Sequence, residues 1–531
     1  MPKGIISKDD SDRPPKTLKP LIYYAILICH CLSKHEQRTT PMKIVLINPA
    51  LEMDNACWFP IGIGYVAAIL RDAGFKVELI DILGEGLTRQ AFQDRIASVK
   101  ADAFGIGGIV TAFNNVVDTA AYIRKAHPNA LIFAGNTVAY SIPEILLRNS
   151  EISVVVLGEG ETTTLELIKA MQEGKPLSTI PGLMFKTPSG ELINTGERPP
   201  IEEIDTLPFP AWDLMPLERY FKNVKARYCV ISTVRGCPFT CTYCCKTFMG
   251  YKIRYRTPSS IIKELLAFQG RYGMDVFYFF DDLSTINKKR MMEFCFLKMG
   301  SSLKKVPWTI SARVNLVDEE MIMALKEAGC AQIGFGLESV DQGILDSINK
   351  RVTVDQIKQA ISWCDKHGLD CGSSSFMIGY INETEKEIKE SSEFCKRHYL
   401  RYEPHFMTPF PGTELYRYAR EKGLIKDELE YIKRLAKQGN TSHLLVNLTK
   451  NMSDQELIEL REKYLFFTSP YRVNGRLSIK RIIEKIMKLA SLPPHLLVET
   501  ITRKIKEFAG IRTTGAGGSA VISRRDSNIW T

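Results

Sequence analysis

No apolar run in this chain of 531 residues is long enough to cross a bilayer. The run Leu21 to Leu32 covers 12 residues, whereas a spanning helix needs about 20. Charge of one sign is also lacking. Against 70 Lys and Arg stand 60 Asp and Glu, and the net +10 is mild over this length. A nucleic-acid reader gathers its basic residues into a patch, so no nucleic-acid partner is expected. Paired cysteine patterns are missing too. The 13 cysteines are odd in number, and most lie far apart in apolar segments such as Val276–Leu297. That excludes an exported disulfide framework and points to a reducing, cytoplasmic setting. Behind Leu21–Leu32 comes polar Ser33-Lys34-His35-Glu36, with no small-residue cleavage site. Residues 1–41 are therefore read as a poorly ordered extension, and the folded protein is read from Met42.

What is present is an ordinary globular composition, 45% hydrophobic and 24% charged, enough for about three domains at about 150 residues each. From 42 to 173 short apolar runs alternate with helical stretches: KIVLINPA, FKVELIDI, DAFGIGGIV, ALIFAGN and SVVVLG. Continuous apolar strands of this length require a parallel sheet covered on both faces. The pattern predicts an α/β fold beginning with a doubly wound domain. Residues 174–226 read as a linker with a small hairpin around Pro188-Ser189-Gly190, ending in the Pro-rich DTLPFPAWDLMP. From 227 to 440 a second βα series predicts six strands, near 228–233, 275–281, 306–311, 331–337, 371–378 and 402–407. Six units make a partial (β/α)6 barrel, with its site at the carboxyl ends of the strands. Residues 441–512 read as a helical carboxyl-terminal region and 513–531 as a disordered tail.

The chemistry is concentrated directly after the first strand of the second series. Val234-Arg-Gly-Cys-Pro-Phe-Thr-Cys-Thr-Tyr-Cys-Cys245 spaces Cys237, Cys241 and Cys244 as C-x3-C-x2-C. Thiolates suit iron–sulfur clusters or zinc. Structural zinc needs a fourth ligand, usually from a second C-x2-C pair, and none follows. Cys245 is awkwardly placed for the same metal, and is either a buried inert thiol or an active-site residue.

The motif, with Tyr243 at its aromatic position, resembles that of the radical S-adenosylmethionine (SAM) family, over roughly 227–415. The resemblance implies a 4Fe–4S cluster on Cys237, Cys241 and Cys244, with one iron left for SAM. Reductive cleavage of SAM then gives a 5′-deoxyadenosyl radical, and a flavodoxin or ferredoxin is the kind of electron donor implied. By the same resemblance Tyr243, Asp282, Arg313, Glu338 and Ser339 are cofactor-binding candidates. Arg313 and Glu338 are chemically suited to a methionyl carboxylate and to an amine or ribose. The alternative is that Arg313 pairs with Asp282 or Glu338 as barrel-mouth structure.

An α/β domain ahead of such a barrel resembles the cobalamin-binding group of these enzymes, and the resemblance implies a flavodoxin-like domain, then the Pro-rich linker, then the barrel. IGIGYVAAILRDAG, the turn Gly158-Glu159-Gly160-Glu161 and Thr408-Pro-Phe-Pro-Gly412-Thr413 carry the likeness. Glycines there would let a corrin approach the backbone. The Asp-x-His-x-x-Gly signature that gives cobalt a histidine is missing from 42–173, where His127 is the sole histidine. A domain that has lost cobalamin and only docks is the alternative. A methylthiotransferase would carry extra cluster cysteines in this domain, which has only Cys57.

The implied activity is cobalamin-dependent methyl transfer to an unactivated carbon or phosphorus centre of a small molecule or lipid. Alternatives are a radical oxidative cyclase or rearrangement enzyme acting on a lipid or tetrapyrrole, and, outside catalysis, an iron–sulfur electron carrier or sensor. The segment SIKRIIEKIMKLASL within 470–512 is basic and amphipathic. It suits peripheral contact with an anionic membrane, or a helix packed on the barrel.

Overall fold

The computed structural model describes residues 42–49, 58–245, 249–281, 283–467, 472–473 and 476–477. The expectations for residues 1–41, for the tail 513–531, for Asp282 and for the amphipathic helix and membrane contact within 470–512 lie outside the described residues. Among the described residues no helix is long and apolar enough to cross a membrane.

The chain divides into two compact units that do not follow chain order. The first combines residues up to 225 with 233–260 and 408–446; the second combines 226–232, 261–407 and the residues from 447 onward.

The first unit is built on a seven-stranded sheet. Its strands are β1 (Lys43–Asn48), β2 (Lys76–Asp81), β3 (Ala103–Gly107), β4 (Leu131–Gly135), β5 (Val154–Val156), β6 (Leu183–Lys186) and β7 (Leu192–Asn194). The order is β2-β1-β3-β4-β5-β6-β7. The first five run parallel, as the flavodoxin-like expectation requires. The hairpin β6–β7 then extends the sheet antiparallel beyond β5. Helices α1 (Ile61–Asp72), α2 (Arg89–Ser98), α3 (Phe113–Ala126), α4 (Asn136–Ser141), α5 (Pro143–Arg148) and α6 (Gly160–Glu173) make the connections. Leu46, Phe133, Val154, Leu167, Leu183 and Ala211 share one core cluster. Burying an aliphatic or aromatic side chain of this kind contributes about 1.5–3 kcal/mol.

The glycines of IGIG lie within α1, not in a turn. A Cβ on Gly64 would stand 2.4 Å from Met215 Cε and 3.0 Å from Pro210 Cβ. Gly64 therefore serves close packing of the Pro-rich segment on α1. Ala211 N donates to its carbonyl at 3.0 Å.

The second unit holds six parallel strands: β8 (Tyr228–Ile231), β9 (Val276–Phe279), β10 (Trp308–Ala312), β11 (Cys330–Glu338), β12 (Ser375–Ile378) and β13 (His405–Phe406). Each pairs with its successor in the chain, giving the continuous curved sheet of a partial barrel. Phe277, Phe279, Phe294 and Trp308 form one aromatic cluster, in which the rings of Phe277 and Trp308 stack at 5.7 Å. Helices such as Lys288–Met299, Val354–His367 and Glu385–His398 cover the outside, the last two opened by full capping boxes on Thr353 and Thr384.

Candidate functional site

In the first unit the cysteine loop leaves a two-residue strand, Val234–Arg235, that pairs antiparallel with Arg254–Tyr255. Gly236 follows at φ +89°, where a Cβ would lie 2.2 Å from the carbonyl oxygen of Lys252. Only glycine satisfies both the conformation and the space. Cys237 N donates to Gly250 O at 3.2 Å. Cys244 N donates to Cys241 O at 3.2 Å, closing a tight turn around Tyr243. Cys237 is buried, Cys241 and Tyr243 are half-buried and Cys244 is exposed.

The far side of the loop rests on the segment Thr408–Leu415 of the same unit. Leu415 N donates to Thr242 O at 3.0 Å. Cys245 Sγ lies 3.3 Å from Ser141 Oγ, at the end of α4, and donates to Pro411 O at 3.5 Å. Gly412 stands beside this pair at φ +89°, a backbone that favours glycine, with its Cβ position in ordinary contact with Ser141 Oγ at 3.5 Å and Cys245 Sγ at 3.7 Å. Thr408-Pro-Phe-Pro-Gly412-Thr413, singled out above as part of a likeness, is thus a cradle for the cysteine loop.

The turn after β5 has a different content from the one expected. Gly158 takes φ +73°, but Glu159 and Glu161 are buried and committed to arginines. Arg235 donates to Glu161 at 2.5 Å and lies 3.4 Å from Glu159. Arg254 donates to Glu159 at 2.7 Å. Burial works against the charge on Arg235, but the carboxylates of Glu161 and Glu159 outweigh it and hold the guanidinium above its usual pKa. Sequence reasoning missed this group. The pairing residues are 74 and 95 positions apart, and the only local signal was an arginine just before the cysteine motif.

In the second unit Arg313, Glu338 and Ser339 lie at or just beyond the carboxyl ends of the neighbouring strands β10 and β11. All three are buried. The cation beside Glu338 is Lys350, with Nζ 2.8 Å from Oε1. Arg313 donates to the Lys350 carbonyl and, through Nε at 3.3 Å, to Asn315 Oδ1. Lys350 is the residue that sequence reasoning overlooked when it weighed Arg313 against Glu338. Three non-glycine residues here have left-handed backbones: Glu338 at φ 65°, Asn349 at 53° and Arg351 at 53°. The register of β11 on β12 also shifts between Gly336 and Glu338. Such irregularities re-aim side chains and gather at functional sites. Beyond β12, Glu383 Oε2 accepts from Gly379 N at 2.6 Å and Tyr380 N at 3.2 Å. Its burial pushes the carboxyl pKa up to about 8.

These residues can be tested against the groups they would hold. Among the described residues no three His, Cys, Asp or Glu side chains converge as a single ion requires. A cubane asks less, because each thiolate binds a different iron, and three soft thiols on one glycine-hinged loop fit that need. For a corrin, β3, β4 and β5 end or continue in Gly107-Gly108, Gly135 and Gly158. A Cβ on Gly135 would meet nothing within 4 Å, so backbone is open there. His127 does not fit as a cobalt ligand. It follows α3 at the amino edge of β4, and its Nε2 is 2.7 Å from Ile96 O.

Comparison with known proteins agrees with this geometry. The family model for the radical SAM superfamily matches residues 231–395, and that for the B12 binding domain matches 51–168. An uncharacterized methyltransferase of Pyrococcus horikoshii is 33% identical over 392 residues, covering 72% of this chain and 84% of its own. The chain belongs to the cobalamin-binding radical SAM enzymes. The cofactors of such an enzyme are a 4Fe–4S cluster, SAM and cobalamin. The cytidylyl-2-hydroxyethylphosphonate methyltransferase of Streptomyces wedmorensis is 26% identical to this enzyme, covering 80% of the chain and 89% of its own length. The anaerobic magnesium-protoporphyrin IX monomethyl ester cyclase of Rubrivivax gelatinosus is also 26% identical, covering 73% and 72%. In fold the enzyme is similar to the radical SAM methyltransferase TsrM of Kitasatospora setae, with a TM-score of 0.62 at 17% identity, over 73% of this chain and 76% of that one.

Proposed function

We propose that this radical SAM enzyme methylates an unactivated carbon or phosphorus centre of a small molecule or lipid. The carrying observation is that the C-x3-C-x2-C loop packs in one compact unit with the B12-type sheet. In this reading Cys237, Cys241 and Cys244 hold the cluster. Arg313, Glu338, Ser339, Tyr243 and Asp282 bind SAM. When bound, the cofactors supply one electron, a hydrogen-abstracting 5′-deoxyadenosyl radical and a transferable methyl group. The chain's own part is to hold and shield them. Gly236 and the Thr408–Leu415 cradle fix the loop, and buried Lys350, 2.8 Å from Glu338, helps to hold that side chain in place. A flavodoxin or ferredoxin is the class of electron donor.

The match to the Rubrivivax cyclase supports a second reading, radical oxidative cyclisation. One experiment separates the two without the substrate. The anaerobically reconstituted, reduced chain is given cobalamin and methyl-labelled SAM. Methyl transfer requires both 5′-deoxyadenosine release and label on cobalamin. Deoxyadenosine with no label on cobalamin favours the cyclase, and an intact reduced cluster that releases none overturns both.

A further inference from the structure

Within the first unit, two arginines face each other across the short hairpin that carries the cysteine loop. Arg254 and Arg235 are direct partners in its antiparallel register. Like charges in that position repel, and both side chains are almost wholly buried, at 2% and 6% exposure. What offsets the repulsion comes from the turn after β5. Glu159 reaches both arginines, Arg254 at 2.7 Å and Arg235 at 3.4 Å. Its other oxygen accepts from Ile201 N at 2.7 Å. Glu161 takes the second face of Arg235 at 2.5 Å. Arg254 also donates to Ile201 O at 2.8 Å and Met249 O at 2.7 Å. The Arg235 guanidinium lies 5.3 Å from the ring centre of Tyr65 on α1. Two positive and two negative charges cancel inside a low-dielectric interior, where breaking one pair is far costlier than at a surface.

The placement of this quartet matters more than its stability. Its glutamates sit at the carboxyl edge of the sheet, where open α/β folds bind ligands. Arg235 is two residues from Cys237, and Gly236 between them is locked by φ +89° and the 2.2 Å approach of its Cβ position to Lys252 O. A shift of the turn is therefore passed to the first thiol through stiff parts.

We propose that Arg235 is a positioning residue through which the Glu159–Glu161 turn sets the placement of Cys237, so that the iron–sulfur loop responds to what occupies the cobalamin edge of the sheet. This rests on the functional reading above. The test uses the full-length chain, reconstituted without oxygen, as wild type, Glu161→Gln, Arg235→Lys and the double variant. The readouts are iron per chain, the electron paramagnetic resonance signal of the reduced cluster with and without hydroxocobalamin, and 5′-deoxyadenosine formation. The single variants are expected to keep about four irons per chain but to lose the cobalamin-dependent change in the signal seen in the wild type. Deoxyadenosine formation falls about tenfold in each, and the double variant falls no further, because both changes cut one path. The proposal is overturned if either single variant shows the wild-type signal with and without cobalamin, or if the wild-type signal ignores cobalamin. It also falls if both single variants unfold by circular dichroism, which would make the quartet a folding element only. A wild-type chain with no cubane signal at all sinks the parent reading instead, so the two failures are distinguishable.

Discussion

Replacing Gly236 with alanine tests whether the cysteine loop depends on one stiff hinge. The added Cβ would sit 2.2 Å from Lys252 O, against an ordinary contact of at least 3.4 Å. The obstacle is backbone, so it cannot swing aside, and the two arms of the loop must part by roughly 1.2 Å. That opening strains the Cys237 N to Gly250 O bond, worth about 1 kcal/mol. Holding alanine at φ +89° costs a further 1–3 kcal/mol or so. A local penalty of about 3 kcal/mol is enough to open this loop without unfolding the seven-stranded sheet of its unit. Gly190→Ala is the matched control, because Gly190 has φ +87° but nothing within 4 Å of its Cβ position. Reconstituted Gly236→Ala is expected to bind less than half the wild-type iron and to lose most SAM cleavage, while Gly190→Ala matches the wild type in both. Normal iron and normal deoxyadenosine release in Gly236→Ala would refute the hinge argument.

Serine at Cys237, Cys241 or Cys244 should abolish cluster assembly, read as iron and sulfide per chain. Cys245→Ser should assemble a normal cluster, since its thiol is occupied with Ser141 and Pro411. Lys350→Met breaks the buried ion pair with Glu338, a change of a kind that costs about 3–5 kcal/mol. Its KM for SAM should rise at least about tenfold, measured by deoxyadenosine formation at saturating reductant. Glu383 gives a pH signature. Burial raises its folded pKa to about 8 from an ordinary 4.5, so the native state binds that proton more tightly. The associated stability is complete below the unfolded pKa and is lost as pH rises through 8. Thermal melts of the wild type should therefore fall between pH 5 and pH 8 by more than those of Glu383→Gln; equal slopes would discount the group.

The strands were legible because their burial is. KIVLIN, AFGIG and LIFAG are nearly continuous apolar runs, which parallel strands covered on both faces require. The cysteine spacing was legible for another reason: all of its ligand positions lie within one loop, so local sequence carries the whole signal. The hairpin around Pro188-Ser189-Gly190 was readable as a hairpin, yet nothing local said that it would pair with β5. The two-residue strands at 234–235 and 254–255 are too short to leave any periodicity.

What escaped has a common physical cause. A buried ion pair leaves no periodic trace, because each member looks like any charged residue until its partner is known. Arg235 and Glu161 are 74 positions apart and Ser141 and Cys245 are 104 apart. Even the 12 positions that separate Glu338 from Lys350 exceed the spacing at which side chains of one helix or strand meet. The left-handed backbones at Glu338, Asn349 and Arg351 are invisible for the same reason, since each residue prefers another conformation in isolation. Strain of about 1–2 kcal/mol at Glu338 and at Arg351 persists only where the surroundings over-determine it. Here the determinants are the Glu338–Lys350 pair and Gly336, whose Cβ would stand 2.8 Å from Glu338 Oε1. A fold alone could be built without these costs. Their concentration at one strand end argues that the geometry of Glu338 is held for chemistry as well as for stability, and releasing it by Lys350→Met should raise the KM for SAM even at temperatures where the variant remains folded.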